Sequence, residues 1–223
     1  MKQLLFLTLT AVSGALFAQD VHIHGAMKAT MRQGQLAGTW TARSGTSRYA
    51  LGPLAFLRGE VTQWNDTIWT AHVGPTGELV VQQVDEADLP FSAHADIPAW
   101  REVAPIRAKN LPDLEAQLTP YLTDGPTFIK LEGRIKSAEI HAVNLPEGRS
   151  VSSPEEAHEG KTAYPLKSMD VQILAFASRS HRAILTHHDT DFHLHLLSRD
   201  RRRMGHVDAL GRGTYRVWIP HNN

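Results

Sequence analysis

The stretch Phe192 to Leu210, FHLHLLSRDRRRMGHVDAL, constrains this chain more than any other part of it. Its flanks alternate with period two, so Leu194, Leu196 and Val207 share an apolar face while His193, His195 and His206 share the opposite one. The arginine-rich middle reads as a turn. Centred between Asp200 and Arg201, that turn sets His206 directly across from His195. Cross-strand neighbours hold their Cβ atoms roughly 4.5–5.5 Å apart, close enough for imidazoles to share one ion at about 2.0–2.1 Å per nitrogen. One hairpin therefore offers core on one side and a metal site on the other.

Histidines on strands are also commonly hydrogen-bonded or solvated side chains, and this chain has 13 of them. His22-Ile-His24 repeats the alternating pair near the N-terminus, where a surface role, or adventitious metal binding, is expected. Three histidines in hairpin-compatible register carry more weight than two. Three neutral ligands leave a coordination position for water or substrate, the pattern of catalytic rather than structural zinc. Asp208, opposite His193 in the same register, and Asp191 on the same face are candidates for acceptors that fix the imidazole tautomers. A solvated face accounts for both carboxylates equally well. His187-His188 follow an expected strand, where at most one of the two can face the site.

Cysteine is absent, which excludes disulfides and limits metal ligands to His, Asp and Glu. Lys and Arg balance Asp and Glu at 23 each, so there is no electrostatic case for nucleic acid or an anionic membrane. The basic run Arg199 to Arg203 reads as a solvated turn. The first residues form an export signal: Lys2, an apolar run from Leu4 to Val12, then small residues at Ser13, Gly14, Ala15 and Ala18. The run is too short to span a bilayer. Residues 1–18 are thus expected to be removed, with cleavage after Ala15 as the fallback. The mature protein would be exported, periplasmic in a Gram-negative host or secreted.

Residues 19–223 read as one domain, with two lobes meeting near 125. The pattern predicts a hairpin over Glu60 to Val73 turning at Asn65-Asp66, and a strand over Glu78 to Val84 after a Gly74–Gly77 turn. Leu111 to Leu122 predicts an amphipathic helix with Pro112 in its first turn. Phe128 to Val143 predicts a second hairpin turning at Glu132-Gly133. Ser153-Pro154-Glu155-Glu156 predicts a short helix or turn within an exposed excursion from Glu147 to Gly160. Val171 to Ala177, Arg182 to Leu185, Phe192 to Leu197, His206 to Leu210 and Tyr215 to Ile219 are expected strands. The fold class is therefore α+β, a wide mixed or antiparallel sheet with a few packed helices.

Three segments, in order, resemble the acetolactate decarboxylase family. Ala50 to Asp66, ALGPLAFLRGEVTQWND, looks like the family's GLGTFNGLDGELIVLDG. Phe128 to Val143 is similar to a family strand pair running through an Ile-Asp-Gly turn. His193 to Val207 matches its His-x-His, ten residues, His-Val. A cupin would place a glutamate shortly after the histidine pair, and an α-type carbonic anhydrase would place its third histidine much farther on. The resemblance implies zinc, or another divalent transition metal, on His193, His195 and His206. It implies a pocket carboxylate at Glu60, an α+β fold that is often dimeric, and conversion of acetolactate to acetoin and carbon dioxide. Under it, Glu60 relays a proton to the enediolate left by carbon dioxide, directly or through metal-bound water.

Three departures accompany the likeness. His141 stands where the family has arginine, Pro53 where it has threonine, and the family's C-terminal glutamate has no counterpart before Asn223. Arginine grips an oxygen pair with a fixed, permanently charged fork; histidine offers one donor toward a given oxygen. Two main expectations remain open. One is metal-dependent decarboxylation of acetolactate or a related 2-hydroxy-3-keto acid with Glu60 and His141 as catalytic residues. The other is a non-catalytic exported protein binding zinc or a ligand on the same scaffold. Hydrolysis by zinc-bound hydroxide, with Glu60 as base, is a third.

Overall fold

Alternating, β-branched and aromatic-rich segments dominate the chain, and the computed structural model turns nearly all of them into antiparallel strands. It describes residues 20–45, 48–157, 159–186 and 188–221; the export signal expected over 1–18 lies outside them, as does His187. In chain order, β1 (His22–His24) leads into helix α1 (Met27–Arg32), then β2 (Trp40–Arg43), β3 (Arg48–Pro53) and a 3₁₀ turn at Ala55–Leu57. There follow β4 (Glu60–Trp64), β5 (Thr67–Val73), β6 (Leu79–Val84), β7 (Glu86–Leu89) and β8 (Ser92–Asp96). The rest comprises β9 (Trp100–Ala108), helix α2 (Leu111–Leu118), β10 (Thr127–Ala142), helix α3 (Pro154–Ala157), β11 (Thr162–Ala177), β12 (Phe192–Ser198), β13 (Met204–Leu210) and β14 (Gly213–Pro220).

The first sheet runs β1-β8-β3-β4-β5-β6, the second β11-β12-β13-β10-β14-β9, and β2 pairs with β7. The chain passes from one six-stranded sheet to the other between Asp96 and Trp100. In the second sheet β10 also pairs with β11, so β10, β11, β12 and β13 close into a ring. Helices are few and short; the α+β expectation holds only in that α2 packs beside β9 and α1 beside α3, and the architecture is mostly β. No described helix is long and apolar enough to cross a membrane.

Several elements follow directly from local chemistry. The β4–β5 hairpin turns at Asn65-Asp66, with Asn65 at a positive φ of 61°, a conformation asparagine tolerates. Helix α2 starts at Asn110, whose Oδ1 accepts from the Asp113 amide at 2.9 Å. It buries Leu114 and Leu118, and the last turn of the expected Leu111–Leu122 helix is instead a 3₁₀ turn at Thr119–Tyr121.

Two expected elements are corrected. Phe128 to Val143 is not a hairpin: Glu132 and Gly133 sit mid-strand in β10, paired with Gln172 and Val171 on one edge and Arg216 and Tyr215 on the other. Gly133 is there for close approach, since a Cβ would fall 2.0 Å from the Thr214 carbonyl oxygen. Arg182 to Leu185 is a turn closed by an isolated bridge between Arg182 and Thr186. In the excursion before β11, residues 147–150 are exposed, whereas Val151 and Ala157 tuck into the core.

The core is continuous across the sheets. Ile129, Leu131, Leu194, Leu196 and Val207 of the second sheet pack with Ala71 and Leu79 of the first. Phe128, Leu174 and Phe176 pack with Leu51, Leu57, Phe91 and Ala93. Polar side chains caught on this boundary are buried, and they cluster in one place.

Candidate metal and active site

Three adjacent strands lay their histidines side by side. His195 of β12 pairs with His206 of β13, as the turn at Asp200-Arg201 requires, and His206 pairs in turn with His141 of β10. His193 stands two residues before His195 on the same face. Ring centroids lie 4.7 Å apart for His141–His206, 4.8 Å for His193–His206, 5.0 Å for His193–His195 and 6.0 Å for His195–His206. All four imidazoles are buried.

The β10–β13 register shifts between Glu139 and Ile140: Ile140 faces Val207 and Glu139 faces Ala209, so Asp208 is an extra residue in β13. Such a bulge re-aims side chains. Here Asp208 Oδ1 comes within 2.8 Å of His141 Nδ1 and 3.6 Å of His206 Nδ1. Burial alone would raise the Asp208 carboxyl, but the hydrogen bonds and charge of His141 and His206 hold it well below the ordinary carboxylate range. Gly205 lets β13 come this close, because a Cβ would sit 2.5 Å from the His141 carbonyl oxygen.

The first sheet closes the cluster. Glu60 and Thr62, two apart on β4, project from one strand face toward the histidines. Glu60 Oε2 lies 3.6 Å from His195 Nε2, and its Oε1 lies 3.9 Å from His141 Nε2 while accepting from the Val143 amide at 3.2 Å. Burial pushes the Glu60 carboxyl well above its ordinary value; the Val143 amide opposes this and the Asp208 charge adds to it. His195 is pushed well below the usual histidine range by burial and by its neighbours His206 and His141, so it is neutral.

One tautomer can be read from its acceptor. His193 Nδ1 is 2.6 Å from the Leu185 carbonyl oxygen, which can only accept, so Nδ1 carries hydrogen and Nε2 a lone pair. Thr62 Oγ1 lies 2.9 Å from His195 Nδ1 and 3.4 Å from the Met204 sulfur, so the His195 tautomer turns on which of the two takes the hydroxyl proton. The Nε2 atoms of His193 and His195 face each other at 3.1 Å. Ligand nitrogens of one tetrahedral zinc stand about 3.3 Å apart, so the pair is spaced as two ligands of one ion would be. On the other flank, ligand atoms of His141, His206 and Asp208 all fall within 4.8 Å of one another. The donor set fits a divalent cation.

The alpha-acetolactate decarboxylase family profile matches residues 22–220. The chain belongs to that family. The acetolactate decarboxylase of Bacillus subtilis subspecies spizizenii superposes with a TM-score of 0.68 at 15% identity, covering 91% of this chain and 87% of that one. The enzyme of Bacillus subtilis strain 168 gives 0.69 at 16%, covering 91% and 86%. A Staphylococcus aureus protein of unknown function, similar to alpha-acetolactate decarboxylase, gives 0.71 at 16%, covering 89% and 85%. These likenesses establish a shared fold. No curated protein is matched by the sequence.

Within the decarboxylase fold, His193, His195, His206, His141 and Glu60 all meet in this cluster. Pro53, at the family's threonine position, pairs with Glu60 across β3–β4. Asp208 meets His141 and His206, as an acceptor that orients imidazoles would, whereas Asp191 accepts from Arg182 Nε at 2.6 Å. Thr62 and the Leu185 carbonyl were not anticipated. Thr62 was within reach, since it stands two residues from Glu60 on the same strand face; a backbone carbonyl leaves no trace in sequence. The bulge at Asp208 leaves none either.

Proposed function

We propose that the protein decarboxylates a 2-hydroxy-3-keto acid, acetolactate or a homologue, giving acetoin or the corresponding hydroxy ketone and carbon dioxide. His193, His195 and His206 would hold the divalent cation, zinc in the first instance. When bound, such an ion supplies Lewis acidity toward the keto and hydroxyl oxygens of the substrate. The observation that carries the reading is Glu60, a buried carboxyl brought from the other sheet to within 4 Å of two of the imidazoles.

Its roles follow from its neighbours. The Val143 amide occupies Oε1, so Oε2, the oxygen facing His195, is the one that carries and passes on a proton. As the bond to the carboxylate breaks, its electron pair passes into the adjacent carbonyl. Glu60 then delivers a proton to the carbon that lost the carboxylate, the carbonyl re-forms, and solvent restores the proton to Glu60. His141, oriented by Asp208 through Nδ1, turns Nε2 toward Glu60 and the cavity, where it takes the family arginine's place beside the substrate oxygens.

Purified protein with zinc content verified should release acetoin from racemic acetolactate above the buffer rate. Absence of carbon dioxide from acetolactate and from its 2-alkyl homologues, at full metal occupancy, overturns the reading. His141 also favours a second reading, a metal- and ligand-binding protein without turnover. His141→Arg separates the two, because decarboxylation gained only in that variant would show a competent pocket lacking a charged fork.

A further inference from the structure

Beside the histidine cluster lies a cavity of about 540 Å³. Its chemistry is divided. Glu60, His141, His193 and His206 form one wall. Met27, Met31, Leu57, Phe91, Val143 and Leu185 supply much of the rest, beside the polar Lys28, Ser153, Thr186 and His188, and Met31, Leu57, Phe91 and Leu185 are no more than 6% exposed. The apolar wall is a built part of the protein, belonging to the core cluster that joins the sheets. Helix α1 is fixed over it by a 3.0 Å bond from the Met27 amide to the Ile184 carbonyl.

Acetolactate is too small for this space. It has nine non-hydrogen atoms; granting each the roughly 30 Å³ that a liquid water occupies, it fills about half of the cavity. Filling an apolar surface with substrate rather than water is worth about a fourfold gain in affinity per methylene. Two methionines in that wall suit chains of varied shape, since an unbranched thioether adapts to what it meets.

We infer that the cavity is built for a 2-hydroxy acid bearing an extended apolar substituent, so that the substrate is a 2-alkyl or 2-arylalkyl homologue of acetolactate. The substituent lies along Met27, Met31, Phe91 and Leu185 while the hydroxyl, keto and carboxylate groups meet the histidines and Glu60. This rests on the decarboxylase reading for the reaction, but the shape of the cavity can be tested without turnover.

Two measurements on the zinc-loaded protein test it. The first compares kcat/KM for 2-hydroxy-3-keto acids carrying methyl, ethyl, n-butyl or benzyl at C2. It should rise about fourfold per methylene, to at least 20-fold from methyl to butyl. The second uses calorimetry with unreactive lactate and 2-hydroxyhexanoate, the longer acid binding at least tenfold more tightly. Met27→Trp, which fills the apolar end, should cut both preferences at least fivefold. Decarboxylation of acetolactate with no gain from chain length in either series overturns the inference and leaves the reaction standing. A calorimetric preference for the longer acid without any decarboxylation overturns the reaction and leaves the cavity assignment standing.

Discussion

Glu60 and His94 show what burial does to single ionisable groups in this protein. Glu60 accepts from the Val143 amide through Oε1, which also faces His141, and turns Oε2 toward His195; burial raises its carboxyl pKa, and glutamine in its place has no proton to give. Glu60→Gln keeps the volume and the Val143 bond, and should lower kcat about 10²–10⁴-fold with metal content by elemental analysis unchanged. His94 lies in a different cluster, stacked on His22, His24 and Trp40 with centroids 4.4–5.0 Å away. Burial, Arg48, His24 and His22 lower its pKa to about 4. Above pH 6.5 it is neutral in both folded and unfolded chains and stability is unaffected. As pH falls from 6.5 toward 4 the unfolded chain takes up a proton that the folded one resists, so stability is lost over that window, by on the order of 2 kcal/mol. Urea midpoints measured from pH 7 to 4 should fall less steeply in His94→Phe, whose ring stacks but does not titrate. Equal slopes would show that His94 is not the group responsible.

At the scale of elements, the informative residue is Gly133. A glycine after a charged residue inside an apolar run resembles a turn, and the sequence around it predicts a hairpin. The structure instead uses it to let β14 approach β10, with the Thr214 carbonyl oxygen where a side chain would be. Gly133→Val should therefore displace β14 rather than tighten a turn, costing roughly 1–3 kcal/mol or more, read as a lower urea midpoint. A neutral or stabilising result would contradict the two-sided pairing of β10. The same distinction explains what sequence can reveal. The β4–β5 and β12–β13 hairpins are legible because their turns fix register locally, and period-two alternation then assigns each side chain a face. Strands such as β1, β2 and β7, three or four residues long, carry no such period. The pairing of His206 with His141 depends on a strand from another part of the chain and on a bulge at Asp208, and neither is encoded within a short window.

Across the whole molecule, the site sits where the two sheets meet. His141, His193, His195 and His206 belong to the closed ring of β10–β13, while Glu60 and Thr62 reach them from β4 of the other sheet. Thr62 holds the ring of His195, so the proposed ligand set is coupled to the packing between sheets and not to one hairpin alone. Without cysteine, covalent reinforcement is unavailable to the chain, and a cation bound only by the folded form becomes a source of global stability. At metal one hundredfold above Kd, linkage gives about 2.7 kcal/mol, and a domain of this size gains roughly 2–4 °C per kcal/mol. Removing the metal with a chelator should thus lower Tm by roughly 5–10 °C, and stoichiometric zinc should restore it. The double variant His193→Ala/His195→Ala removes two of the three proposed ligands, so its Tm should not respond to chelator or zinc. If that variant lost Tm on chelation as the parent does, the cation would have to be held without His193 and His195, and the proposed ligand set would be wrong.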